Sequence, residues 1–173
     1  MPDLLCLAKG LTGGYLPLAA TLANELVYEA FLVSHTELRT FFHGHTYGGN
    51  PLGAAAALAT LDIFEKEQTL ERIKPRIEQL RAWLARFAER PHVGDVRQRG
   101  LMAGVELVED RDSRRPYDWA EKIGVRVCMA ARRDSVLIRP LGNVVVLMPP
   151  LAISEEELDL LGTAVLRAIE DVT

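Results

Sequence analysis

The stretch Leu4-Leu5-Cys6-Leu7-Ala8-Lys9-Gly10-Leu11-Thr12-Gly13-Gly14 decides how the rest of the chain is read. A short unbroken apolar run, closed by a lysine and followed by glycines, suits a central strand covered on both faces and ended by a glycine-rich turn. Strands of that kind belong to α/β folds, in which helices cover the sheet. Leu16 to Leu22 is a second apolar stretch, predicted as another strand, and Asn24 is placed to cap a helix from Glu25 to Leu32.

Further along, Phe41 to Asn50 is dense in glycine, histidine and aromatics and reads as a loop. Asn50 and Pro51 then form a cap and first helical position, opening a helix to about Lys66 whose Ala54–Ala57 run permits close packing. From Thr69, the residues Leu70, Ile73, Ile77, Leu80, Leu84 and Phe87 recur at three- and four-residue spacing, giving one amphipathic face with a kink or restart at Pro75. Two strands, Val93 to Arg97 and Leu101 to Val108, meet at Gly100, and Arg111 to Pro116 is a polar loop. A helix is predicted over Tyr117 to Arg132, weakened by Gly124. Strands Val136 to Arg139 and Val144 to Met148 flank a turn at Pro140–Asn143. Ser154 and Glu157 form a capping box for a last helix that carries Leu158, Leu161, Val165 and Ile169 on one face. A boundary falls near residues 66–70, giving segments 1–67 and 68–173. The second reads as a small α+β unit with helices over a short antiparallel sheet.

Composition narrows the function classes. Of 173 residues, 49% are apolar and 25% charged, enough for a packed core and incompatible with intrinsic disorder. Twenty Lys and Arg against 24 Asp and Glu give a net charge of -4, which argues against nucleic acid as the main partner. Cys6 and Cys128 are too few for a disulfide framework and are expected to be small core residues in a reducing compartment. No run approaches the ~18 apolar residues of a membrane span, and the first residues lack the features of a secretory signal, so the expected address is the cytoplasm.

Three places could carry chemistry. Lys9 closes an apolar strand; partial desolvation there would disfavour the ammonium and make the amine a nucleophile toward carbonyls, unless the side chain merely snorkels at a strand end. The loop His43-Gly44-His45-Thr46-Tyr47-Gly48-Gly49-Asn50-Pro51 runs into a helix N-terminus and could offer free N–H groups and a hydroxyl to a phosphate, or be only a tight turn. No third ligand accompanies His43 and His45, so no metal is expected. Arg139, in Leu137-Ile138-Arg139-Pro140, emerges from an apolar strand and should meet a carboxylate, of the protein or of a substrate.

The order of these three sites resembles that of the class III aminotransferases. Leu5-Cys6-Leu7-Ala8-Lys9-Gly10-Leu11-Thr12-Gly13-Gly14-Tyr15-Leu16-Pro17-Leu18-Ala19 is similar to the segment around their cofactor lysine, and Phe42-His43-Gly44-His45-Thr46-Tyr47-Gly48-Gly49-Asn50-Pro51-Leu52 to their phosphate loop. Ile138-Arg139-Pro140 followed by Leu147-Met148-Pro149-Pro150 resembles the branch of the family that serves biotin synthesis. The resemblance implies the later part of a fold-type I pyridoxal-phosphate (PLP) transferase large domain over 1–67, followed by a small C-terminal α+β domain over 68–173. It implies that Lys9 holds pyridoxal 5'-phosphate and then moves protons as general acid and base. His45, through its backbone where many relatives carry proline, and Thr46 would bind the cofactor phosphate of the partner subunit in a homodimer. Gly44 would line the substrate site and Arg139 would clamp the carboxylate of 8-amino-7-oxononanoate, the amino donor being S-adenosylmethionine or lysine. Members of the family are much longer. The segment that normally supplies an Asp for the pyridine nitrogen, an aromatic ring that stacks on the cofactor and a Gly-Ser phosphate turn has no counterpart here. The chain is therefore expected to be a C-terminal portion, weakly active or inactive alone. The competing expectations are another class III ω-aminotransferase and a non-catalytic folding or dimerisation module.

Overall fold

The computed structural model describes residues 2–173, which divide between Gln68 and Thr69 into two compact units. The first opens with an antiparallel hairpin, β1 (Leu4–Leu7) against β2 (Ala20–Ala23), Leu4 facing Ala23 and Leu7 facing Ala20. Between them lies a 3-10 turn, Lys9–Thr12, that ends on Gly13 at φ 61°. Pro17, with no N–H for a ladder, sits in the part of the second apolar stretch that stays outside the sheet. Helix α1 (Glu25–Glu29) starts on the Asn24 side chain, which accepts from the Val27 N–H at 3.0 Å. It is shorter than the sequence suggests, because Phe31 and Leu32 donate to carbonyls three residues back and tighten the chain out of α geometry. Helix α2 (Pro51–Lys66) has the expected cap, Asn50 Oδ1 accepting from Leu52 N at 3.0 Å.

Burial in this unit is thin. Among the described residues before Gln68 only Thr12, Gly53 and Ala57 are buried, one in the 3-10 turn and two on α2, the helix that turn packs against. The strand expected to be covered on both faces is not: Leu4, Leu5 and Leu7 are 55%, 43% and 37% exposed, since β1 pairs only with β2 and no layer of described residues covers it. Cys6 shares that exposure, contrary to its expected place in a core.

The second unit holds the core. It begins with α3 (Thr69–Arg72) and, after the break expected before Pro75, α4 (Lys74–Ala88). Strands β3 (Val93–Arg99) and β4 (Met102–Asp110) follow, then the short β5 (Arg115–Pro116), which turns part of the expected polar loop into an edge pairing with β4. Next come α5 (Ile123–Ala131), β6 (Arg139–Leu141), β7 (Val144–Leu147) and α6 (Glu155–Val172). The main sheet is antiparallel in the order β3-β4-β7-β6. Alternation sends Ala103, Val105, Leu107, Val145 and Leu147 to the face packed by α4, α5 and α6, where they join Leu80, Leu84, Phe87, Val127, Leu158, Val165 and Ile169 in one core. Their neighbours Met102, Gly104, Val144, Val146 and Met148 point to the other face.

Three boundaries differ from the sequence reading. The Tyr117–Arg132 helix is split at Lys122, which adopts φ 50° after a 3-10 turn capped by Asp118. Gly124 lies inside α5, where a Cβ would come within 2.3 Å of the Gly142 carbonyl oxygen; its absent side chain serves packing. Strand β6 starts at Arg139, and a two-residue turn, Gly142-Asn143, joins it to β7 because Leu141 pairs with Val144. Pro140 is tolerated inside β6 because that strand is the sheet's edge.

Candidate active site

Lys9 stands at the end of β1 with φ 51°, a left-handed conformation that costs a non-glycine residue about 1 kcal/mol or more. Its side chain is exposed, so the expected desolvation does not arise within this chain: the hairpin faces that would dry it are open. Ala8, Lys9, Gly14, Tyr15 and Leu16–Ala19 line an open groove of about 700 Å³ beside it.

The turn under Lys9 is fixed from below. Thr12 is 1% exposed, and its hydroxyl donates to the Leu16 carbonyl at 2.6 Å while lying 3.4 Å from the Lys9 carbonyl. Helix α2 supplies the floor: Gly53 brings its backbone against Leu18, and a Cβ on Gly13 would touch Thr60 Oγ1. Sequence pattern alone gives Thr12 no role. The signal that marks it is a hydroxyl residue between the lysine and the Gly13-Gly14 pair.

The loop ahead of α2 keeps its donors free. Gly48 N–H donates to the His45 carbonyl at 2.8 Å and Tyr47 N–H to His45 Nδ1 at 3.2 Å. The N–H groups of Gly44, His45 and Thr46, and the Thr46 hydroxyl, donate to nothing among the described residues. Exposed donors leading into the N-terminus of a 16-residue helix are suited to an anion. No His, Cys, Asp or Glu grouping among the described residues could hold a metal ion.

Arg139 lies in the second unit, on the sheet face away from the helices. Its cross-strand neighbour is Val146, which in turn faces Gly104. Beside it runs a groove of about 540 Å³, lined mainly by apolar residues that include Met102, Leu137, Leu141, Met148 and Pro149. No protein carboxylate meets its guanidinium among the described residues, whereas Arg97 on the same face is paired with Asp95 and Glu106 at 3.5 and 3.2 Å. The methionines and leucines of this groove were not marked by the sequence as site residues, because alternation assigns a face without saying what covers it.

Cys128 is buried in α5, and burial pushes its thiol up to about 11; Cys6 is exposed with its sulfur 3.7 Å from Thr21 Oγ1. Both thiols are free. No helix among the described residues is long and apolar enough to cross a membrane.

The family model for aminotransferase class-III matches residues 1–169. The chain is 58% identical over 173 residues to an adenosylmethionine-8-amino-7-oxononanoate aminotransferase of Nitratidesulfovibrio vulgaris, covering all of this chain and 32% of that protein. It is 49% identical over 170 residues to the protein of the same description from Methanocaldococcus jannaschii, covering 98% and 37%. The crystal structure of that enzyme superposes with a TM-score of 0.95 over 99% of this chain and 39% of its own. An (S)-enantioselective ω-transaminase of Thermomicrobium roseum, 37% identical, gives a TM-score of 0.90 over 99% and 38%. The chain thus spans between about a third and two-fifths of the length of these relatives.

Proposed function

Because the chain belongs to the class III aminotransferases, we propose that a full-length polypeptide carrying it transaminates 8-amino-7-oxononanoate to 7,8-diaminononanoate with the help of pyridoxal phosphate. Residues 1–67 are then the later part of the cofactor-binding large domain and 68–173 the small C-terminal domain. The observation that carries the substrate class is Arg139: a guanidinium without a carboxylate partner among the described residues, at the rim of an apolar groove. Such a site fits a molecule with a carboxylate at one end of an aliphatic chain. The fork of the guanidinium takes the carboxylate by two hydrogen bonds, and Met102, Leu137, Leu141 and Met148 remove the methylenes from water. The relatives whose names specify a substrate of that form support the same reading.

The cofactor fits the first unit's donors. Pyridoxal phosphate, when bound, supplies an electron sink for breaking the bond to hydrogen beside the substrate nitrogen. Lys9 Nζ, on a turn with an open groove beside it, would hold the cofactor and would move a proton as general acid and base. The Thr46 hydroxyl and the N–H groups at His45 and Thr46 take the phosphate, aided by the positive end of α2. Gly44, with no side chain to obstruct, lines the substrate space. In a homodimer the loop serves the cofactor of the partner subunit. Two free thiols suit a reducing, cytoplasmic setting.

Steady-state kinetics of Arg139→Ala test the reading. The expected result is a rise in KM for 8-amino-7-oxononanoate of at least tenfold, with little change for an amine substrate that has no carboxylate. Equal effects on both substrates would sink it.

A further inference from the structure

We infer that Thr12 is a positioning residue for Lys9: its buried hydroxyl holds the strained turn that presents the lysine amine. The inference rests on the reading of Lys9 as the cofactor lysine. Three observations carry it. First, among the described residues of the first unit Thr12 is the one buried residue with a polar side chain, at 1% exposure where nearly every other side chain is open to solvent. A hydroxyl withdrawn from water is costly unless it finds a partner, and this one has found the Leu16 carbonyl at 2.6 Å.

Second, the bond closes the loop that Lys9 opens. The chain leaves β1 in extended form at Ala8, turns left-handed at Lys9, and is drawn into a 3-10 turn by Leu11 N–H donating to the Ala8 carbonyl at 3.1 Å. Lys9 in that conformation is strained, and a strained residue persists only where its surroundings over-determine it. Thr12 Oγ1 gives its proton to the Leu16 carbonyl while lying 3.4 Å from the Lys9 carbonyl, so the bond ties the far end of the excursion back beside the residue that opens it.

Third, the turn has a rigid seat. Gly53 and Ala57, one helical turn apart on α2, are the other two buried residues among those described in the unit, and the 3-10 turn packs on that helix. The buried positions among the described residues of the unit therefore gather where the turn that begins at Lys9 meets α2. A valine at position 12 would fill the same volume while leaving the Leu16 carbonyl without its donor and the Lys9 turn free to relax toward ordinary φ.

The test compares Thr12→Val and Thr12→Ser with the unsubstituted full-length polypeptide, incubated with pyridoxal phosphate. Readouts are the rate at which borohydride fixes a pyridoxyl group on Lys9, by mass spectrometry, the pH midpoint of the visible band of the lysine-bound cofactor, and the melting curve. Thr12→Val should slow Lys9 labelling roughly tenfold and move the pH midpoint, with a cooperative melt retained, while Thr12→Ser behaves as the unsubstituted protein. Should Thr12→Val not melt cooperatively, Thr12→Cys, with a weaker donor in the same place, is judged by the same criteria. Labelling and midpoint unchanged in Thr12→Val, or a loss in Thr12→Ser as large as in Thr12→Val, would overturn the assignment of Thr12 alone. No Lys9 adduct in the unsubstituted protein would remove the reading of Lys9, and this inference with it.

Discussion

The Trp83 indole N–H donates to Asp159 Oδ1 at 2.8 Å, joining the middle of α4 to the first turns of α6. Gln79 donates to the same oxygen at 2.8 Å and to the Glu155 carbonyl at 2.9 Å, and the Arg86 guanidinium lies 4.0 Å above the Trp83 ring. One carboxylate thus organises the polar edge of the helix pair that covers the sheet.

These bonds hold the Asp159 carboxyl below the usual aspartate range, the Trp83 bond first and Gln79 second. The folded state therefore releases the proton more readily than the unfolded chain. The resulting stability is present in full above the ordinary aspartate value and is lost as pH falls below about 4. Melting temperature followed from pH 5 to pH 2 should show this loss. Asp159→Asn should flatten the acid limb without abolishing it, because Asp110 and Glu156 are also held low, by Ser113 and by the backbone N–H of Glu156 respectively.

Gly162 lies in α6 under Trp83, and a Cβ there would stand 2.2 Å from the indole Cδ2. Alanine normally gains up to about 1 kcal/mol over glycine inside a helix. Here the clash outweighs that gain, and Gly162→Ala should destabilise the second unit by about 1–3 kcal/mol in urea denaturation. A stabilised variant would show that the ring has room to move.

Arg139→Lys keeps the charge and loses the planar fork. It should recover only a small part of the KM lost in Arg139→Ala for 8-amino-7-oxononanoate. Full recovery would mean that a point charge suffices and that no bidentate grip exists.

The two thiols should separate cleanly under iodoacetamide at neutral pH. Cys6 is exposed and should label in the folded protein, while Cys128, buried and pushed up to about 11, should label only after denaturation. Peptide mapping by mass spectrometry reads both.

Local signals carried much of the fold. The Asn50-Pro51 start, the Pro75 break and the Ser154–Glu157 box stand where the residues place them, because caps and prolines act within a few positions. What failed depended on distant neighbours. The apolar run at Leu4–Leu7 reads as buried from composition, but nothing among the described residues lies over it, and Lys9 stays wet for the same reason. The residues of the Arg139 groove come from β4, β6, β7 and the stretches around them, a grouping set by strand order, which sequence spacing does not encode. Thr12 shows the opposite limit: its short bond spans four residues, yet only burial reveals that its hydroxyl has no water to fall back on.

The uneven burial of the two units bears on how long the chain survives in a cell. Proteases act on backbone that opens, and opening is cheap where few apolar groups must be uncovered. The hairpin and the residue 34–50 loop meet that description, while the strands threaded through Val105, Leu107 and Val145 open only when the whole second unit does. Turnover should then proceed by trimming from the hairpin and the residue 34–50 loop and leave a resistant remnant close to Thr69–Thr173. The abundance of that remnant, measured against the intact chain, would report how well the first unit is protected in living cells.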